Sequence, residues 1–235
     1  MKIKTSLHIH TAEDKREGKK IKYTVYQLID QACQLDFKVL ALTGHEYFVY
    51  KPEYGDYARD KGILLIPGIE LTLNKHGLVQ KHVVVLNCQP EIENIKTLEE
   101  LVNYKESHPE IFVLAPHPHF FFNVSLGLKT LKKYINLFDA IEYSWFYTKK
   151  INLNKKSEIV AKEHHKPIIS TSDLHRLKWL NQDYALIDTP SLDIISVLKA
   201  IKQQKFTNIT QPKKLIELIV YIIKTTIPGI NKKVA

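Results

Sequence analysis

Lys2-Ile3-Lys4-Thr5-Ser6-Leu7-His8-Ile9-His10 opens the chain. Ile3, Leu7 and Ile9 give the segment a strand-like pattern, with Lys2, Lys4 and Ser6 between or beside them. Side chains of a strand alternate faces, so Ile9 goes to one face while His8 and His10 converge on the other. Two imidazoles side by side at a strand end are a natural start for a metal site. Taken alone, the pair reads equally well as two unrelated polar residues near a strand end. The rest of the chain decides.

Outward from that strand, a polar loop over residues 11–22 holds Glu13, Asp14, Glu17 and Gly18. Thr24 and Gln27 have the capping-box spacing, ahead of Val25, Leu28, Ile29, Ala32 and Leu35 at helical intervals. Residues 39–43 form an apolar strand ending on Gly44-His45-Glu46, and a helix holding Tyr57 and Ala58 closes at Gly62. Residues 63–69 form a strand ending at Glu70, while residues 82–86 form one that starts at His82. Thr97 and Glu100 open a second capped helix, and the strand at 111–115 runs into Pro116-His117-Pro118-His119. A helix at 128–135, a strand at 140–143, a helix at 155–164 and a strand at 168–170 lead to Ser172-Asp173-Leu174-His175. A short segment at 184–187, an amphipathic helix at 192–203 and an apolar helix at 213–224 complete the chain. Strands alternating with helices favour an α/β architecture with a mainly parallel sheet, open or closed into a barrel.

The 235 residues suffice for one large domain, and no Gly/Ser/Pro-rich linker divides them. The net charge of +9 is almost wholly lysine, since only Arg16, Arg59 and Arg176 are arginines. A scattered lysine surplus suits a solvated surface and favours anionic substrates. Cys33 and Cys88 are too few for a disulfide framework. Met1-Lys2-Ile3-Lys4 leads straight into a strand without a signal-peptide pattern, so the expected compartment is the cytoplasm. Residues 215–223, interrupted by Glu217, are too few to span a bilayer.

Position is the informative pattern. Glu70, His45, His117 and Asp173 each fall at or just past the end of an apolar strand, as do His8 and His10, and His175 follows Asp173 by two. In a parallel barrel those ends open on one face, where function concentrates. Gathering that many ionisable groups without a cation costs many kcal/mol, because like charges repel and desolvation goes uncompensated. Imidazoles with carboxylates suit zinc, manganese or iron better than calcium. His76, His108, His164 and His165 fall in loops or helix ends and are expected at the surface.

Over residues 3–209 the sequence resembles the PHP (polymerase and histidinol phosphatase) superfamily. The carriers are Leu7-His8-Ile9-His10-Thr11, Leu42-Thr43-Gly44-His45, Gly68-Ile69-Glu70, His82, Ala115-Pro116-His117-Pro118 and Ser172-Asp173-Leu174-His175, in the family's order. The resemblance implies a distorted (β/α)7 barrel with two or three divalent transition metals at the C-terminal face of its strands. Residues 210–235 would be a helix and tail packing on the same domain. His8, His10, Glu70 and Asp173 would hold one metal, and Glu70 would bridge to a second held also by His82 and His117. A third would take His45, His175 and a loop residue, Glu17 or its rival Asp14. The chain departs from the family pattern at Ser6 and Gly44, where Asp is frequent, and at Glu17-Gly18, where Asp-Gly is common.

Such a cluster implies phosphoester hydrolysis, with a metal-bridging hydroxide as nucleophile. His119 and Arg176 flank metal ligands and are candidates for phosphate contact or leaving-group protonation. The substrate would be an anionic phosphoester: a nucleotide, an oligonucleotide or a small phosphomonoester. Aromatic loops at residues 47–50, 120–122 and 143–147 would stack on a nucleobase, grip a phenolic ring or plug the barrel mouth. Two other readings are a metal-stabilised binding or regulatory module without turnover, and metal-assisted amide hydrolysis. The sequence leaves the oligomeric state open.

Overall fold

The computed structural model describes residues 1–76, 79–120 and 124–226. Among these residues nine strands form one sheet: β1 (Lys2–Ser6), β2 (Phe37–Leu42), β3 (Leu64–His76), β4 (Val79–Leu86), β5 (Phe112–Ala115), β6 (Ala140–Ser144), β7 (Ile168–Thr171), β8 (Tyr184–Asp188) and β9 (Phe206–Ile209). Their order is β7-β6-β5-β4-β3-β2-β1-β8-β9. The helices are α1 (Val25–Gln34), α2 (Pro52–Asp60), α3 (Leu98–Ser107), α4 (Leu128–Lys133), α5 (Asn154–Glu163), α6 (Ile194–Lys202) and α7 (Leu215–Thr226).

The first seven strands curl into the expected distorted barrel. At its mouth Ile9, just past β1, bridges Leu174, just past β7, in parallel. The His10 N–H donates to the Leu174 carbonyl at 3.1 Å and the Leu174 N–H to the His8 carbonyl at 3.0 Å. The Tyr23 hydroxyl stands 2.5 and 2.8 Å from the carbonyl oxygens of His10 and Leu174 and clasps the join. Towards the other end, β8 pairs antiparallel with β1 and β9 antiparallel with β8. Between β9 and β7 the amide of Asn208 replaces a ladder. Its Oδ1 accepts from the Ser170 N–H at 2.8 Å and its Nδ2 donates to the Ile168 carbonyl at 2.9 Å.

Two expectations are corrected. The sheet is mixed rather than mainly parallel: β4 runs against both β3 and β5. It follows β3 after two residues, too few for the crossover helix a parallel pair requires. Strand β3 continues to His76, so Glu70 lies inside a 13-residue strand rather than at its end.

Local chemistry explains the helices. Thr24 with Gln27 and Thr97 with Glu100 make complete capping boxes at the starts of α1 and α3. Pro52 opens α2, and Gly62 just beyond its end takes φ of +70°. Central strands are buried on both faces. In β5, Phe112 and Leu114 pack with Ile3 and Leu7 of the β1 segment, whereas Val113 and Ala115 pack with Leu101 of α3 and Leu131 of α4. Helix α7 buries Leu218 against Trp145 and Phe146 and leaves Leu215, Ile216, Ile219 and Val220 exposed. Residues 227–235 of the expected tail lie outside the described residues. Among the described residues no helix is long and apolar enough to cross a membrane.

Candidate metal centre

Six histidines and three carboxylates meet at the barrel mouth. His8 and His10 share a face, their ring centroids 5.0 Å apart, while Ile9 between them is buried in the apolar core. His45 follows β2 and bridges Glu70 in the sheet. His82 stands near the start of β4, and because that strand runs in reverse, its start lies at the same mouth as the other strands' ends. His117 and Asp173, just past β5 and β7, take φ of 28° and 42°. Positive φ in non-glycine residues is strained and recurs at functional sites.

Glu70 is the centre. Its Oε1 lies 2.8 Å from His82 Nδ1 and 3.3 Å from His117 Nε2. Its Oε2 lies 3.4 Å from the Nε2 atoms of His8 and His10 and 3.1 Å from that of His45. Asp173 Oδ1 lies 3.5 and 3.3 Å from the same two nitrogens of His8 and His10. On the rim, His175 Nε2 lies 3.3 Å from Glu17 Oε2. Three triplets converge tightly enough to share an ion: His8, His10 and Glu70; His45, Glu70 and His82; His10, His45 and His175.

An outer layer orients these rings. Glu142 of β6, fully buried, meets His8 Nδ1 at 2.9 Å. Asp14 Oδ2 meets His10 Nδ1 at 3.2 Å and His45 Nδ1 at 2.8 Å. Asp14 Oδ1 accepts the backbone N–H groups of Arg16 and Glu17, so one carboxylate both aims two histidines and folds the loop that presents Glu17. Sequence reasoning missed Glu142 altogether; its signal is a lone carboxylate in an otherwise uncharged buried strand.

The electrostatics of the cluster are those of an anionic pocket. Burial disfavours an ionised Glu70, yet His82, His8 and His45 hold its pKa well below the usual range. Burial likewise opposes protonation of His8, and Asp173, Glu70 and Glu142 overcome it, raising its pKa. His175, against the same desolvation, is pushed up to about 9 by Asp173 and Glu17. Glu17 is held down to about 2 by its hydrogen bond with His175. His45 falls to about 4, first from burial and then from repulsion by His10.

The residues fit divalent cations. Nε2 of His8, His10 and His82 and Nδ1 of His117 are buried without a hydrogen-bond partner. Each such atom costs about 1–3 kcal/mol unless something takes its lone pair or proton. Imidazole with carboxylate is the donor set of zinc, manganese and iron.

A cavity of about 260 Å³ opens above the cluster. Glu17, His45, Glu70, His82, His117, Asp173 and His175 line it, together with Arg16, Phe120, Trp145 and Phe146. Neither Arg176 nor His119 is in this lining. Arg176 is exposed, its guanidinium 4.9 Å over the Trp179 ring, and His119 is half-buried. The Arg16 guanidinium reaches Thr72 Oγ1 at 3.2 Å and Gln80 Oε1 at 2.8 Å, past the barrel rim. Of the aromatic loops, Phe48, Tyr47 and Tyr50 pack against core, and Phe121 and Phe122 lie outside the described residues.

The family departures have local reasons. A Cβ at Gly44 would meet Val49 Cγ2 at 2.4 Å and the Tyr47 carbonyl at 2.8 Å, so Asp has no room there. Ser6 is buried, its hydroxyl 3.0 Å from that of Ser172. His164 and His165 are exposed as expected, His108 is half-buried against Tyr104, and the side chain of His76 lies outside what is described.

No family model and no curated protein matches the sequence. Solved structures match in shape. A two-domain protein from Bacteroides vulgatus containing a predicted PHP-like metal-dependent phosphoesterase superposes with a TM-score of 0.65 at 14% identity, covering 95% of this chain and 70% of that one. The lesion-specific endonuclease from Pyrococcus furiosus gives 0.62 at 13% identity, over 98% of this chain and 68% of its own. An amidohydrolase from Chromobacterium violaceum gives 0.55 at 15% identity, over 86% and 97%. With a seven-stranded barrel closed at Ile9–Leu174 and six of its histidines gathered at that mouth, the chain has the fold of the PHP superfamily.

Proposed function

We propose that the chain is a phosphoesterase dependent on two or three divalent transition-metal ions, manganese, zinc or iron. Glu70 carries the reading. A carboxylate with one oxygen toward His82 and His117 and the other toward His8, His10 and His45 is built to bridge two cations. In this assignment His8, His10, Glu70 and Asp173 would hold the first ion, Glu70, His82 and His117 the second, and Glu17, His45 and His175 the third. Such ions, when bound, acidify a water and neutralise phosphate oxygens.

The side chains supply orientation and charge. Glu142 and Asp14 engage the Nδ1 atoms of His8, His10 and His45 and thereby leave each Nε2 facing the cluster. Arg16 is assigned to the substrate phosphate. It has five N–H donors, its protein hydrogen bonds engage two nitrogens, and its planar fork matches phosphate oxygens. Arg176 and His119, candidates from sequence neighbourhood, stand outside the cavity lining and receive no role. The size of the cavity favours a small ester over an oligonucleotide. The likeness to folds named as a phosphoesterase and an endonuclease supports this chemistry. The likeness to an amidohydrolase keeps amide hydrolysis as the second reading.

Metal analysis of the purified protein, beside a panel of phosphate esters and amides, tests the proposal. Two or three ions per chain are expected, with hydrolysis abolished by a chelator and restored by manganese. Full activity in metal-free protein overturns it.

A further inference from the structure

The cavity lining is of two unlike kinds. One is the ionic cluster; the other is Phe120, Val124, Trp145 and Phe146. Phosphate chemistry needs only the first. The aromatic wall is a built object: Phe120 stands edge-on to Phe146 at 4.4 Å, Trp145 to Phe146 at 5.4 Å, and Trp179 backs Trp145 at 5.3 Å. The loop that carries Trp145 and Phe146 has an outside support. Leu218 of α7, 6% exposed, packs on Trp145 and Phe146.

Helix α7 is itself pinned. The Lys213 ammonium sits 2.6 Å from Asp183 Oδ2 and 2.8 Å from Gln182 Oε1, with only 9% of its side chain exposed. The Lys213 N–H donates to the Tyr147 carbonyl, and the Tyr147 hydroxyl donates to Thr210 Oγ1 at 2.8 Å. A segment outside the barrel is therefore tied to the loop that follows β6 at both backbone and side chain, one turn before Leu218.

Resting on the phosphoesterase reading, we propose that this wall is a subsite for a flat apolar ring on the substrate's alcohol portion, and that Leu218 is a positioning residue that sets its shape. The ester accepted would be small, with phosphate on the ionic floor and ring against Phe146 and Trp145. Aromatic rings gain from stacked or edge-to-face contact beyond simple burial, so a ring-bearing ester is favoured over an aliphatic one of like size.

The chain has only two tryptophans, Trp145 and Trp179, and both belong to this cluster. Their fluorescence therefore reports the wall directly. Titration of the metal-loaded protein with phenylphosphonate, which cannot be hydrolysed, should quench it saturably, and methylphosphonate should bind at least tenfold more weakly. In kinetics, Leu218→Ala should lower the ratio of kcat/KM for p-nitrophenyl phosphate over glycerol phosphate about tenfold, mainly through KM. Leu218→Met should restore most of that ratio, and bound metal should equal that of the wild type in both variants. Equal affinity for the two phosphonates, or equal kinetic loss on the two esters, overturns the subsite. A protein that hydrolyses neither ester yet binds phenylphosphonate preferentially refutes the phosphoesterase reading while upholding the ring subsite.

Discussion

At the scale of single residues, Glu70 and Asp14 divide the work of the site. Both oxygens of Glu70 face imidazoles, so Glu70→Gln removes charge from two cation positions at once. It should lose more activity than His45→Ala or His175→Ala and at least two ions per chain, read by elemental analysis. Equal damage from all three variants with metal retained would show the partition to be wrong. Asp14 touches the rings and backbone that present the donors, so Asp14→Asn should weaken metal affinity by about 10–100-fold, measured by competition with a chromogenic chelator. Most of the donors were proposed from the sequence because His8, His10, His45, His117 and Asp173 fall at or just past apolar strands, whereas Glu70 and His82 lie inside theirs. The orienting residues were not legible there, since their role depends on distances no spacing reveals. Arg176 stands apart from the place its sequence neighbour suggested. Adjacency to His175 suggested the cavity, but a short 3-10 turn at Leu177–Trp179 follows it, and its guanidinium lies over Trp179. Arg16, from a charge-rich loop of the sequence, is among the cavity-lining residues.

At the scale of elements, the loop between β1 and α1 is the part most exposed to damage. A Cβ at Gly18 would fall 2.2 Å from the Asp14 carbonyl and 2.3 Å from that of Ala12, both backbone atoms that cannot step aside. Gly18→Ala should therefore displace Glu17 while leaving Glu70, His82 and His117 in place. The expected result is loss of one ion per chain, the one nearest His175, with the other sites filled. Loss of all ions would show that the loop governs the whole cluster. The capped helices α1 and α3 could be read from Thr24-x-x-Gln27 and Thr97-x-x-Glu100 because capping is local chemistry. The direction of β4 could not. A strand carries no mark of which way it runs, and only the two-residue connection from β3 excludes a parallel neighbour.

At the scale of the whole molecule, the barrel is closed by different means at its two ends: a backbone bridge with the Tyr23 clasp at the mouth, and Asn208 away from it. Asn208→Ala leaves the Ser170 N–H and Ile168 carbonyl without these partners, a loss of about 1–3 kcal/mol. Thermal or urea unfolding should show it, with bound metal unchanged in the folded protein; loss of metal would mean that the seam and the mouth are one unit. The α/β architecture was evident from alternating elements, while its closure into a barrel was expected from the family resemblance alone. Strand β9 went unread: four residues with the sequence Phe-Thr-Asn-Ile are too short and too polar to announce a strand without the edge they join.

The closure at the mouth also imposes an order in time. Ser6 and Ser172, which meet beside it, are 166 residues apart in the chain. Glu70, His82 and His117 come from consecutive strands, so that part of the cluster has all its donors as soon as β5 has left the ribosome. His8 and His10, though made first, wait for Asp173, roughly 10–30 seconds later at ordinary rates of synthesis. His8 and His10 therefore stay open after Glu70, His82 and His117 have been made, until the segment carrying Asp173 follows.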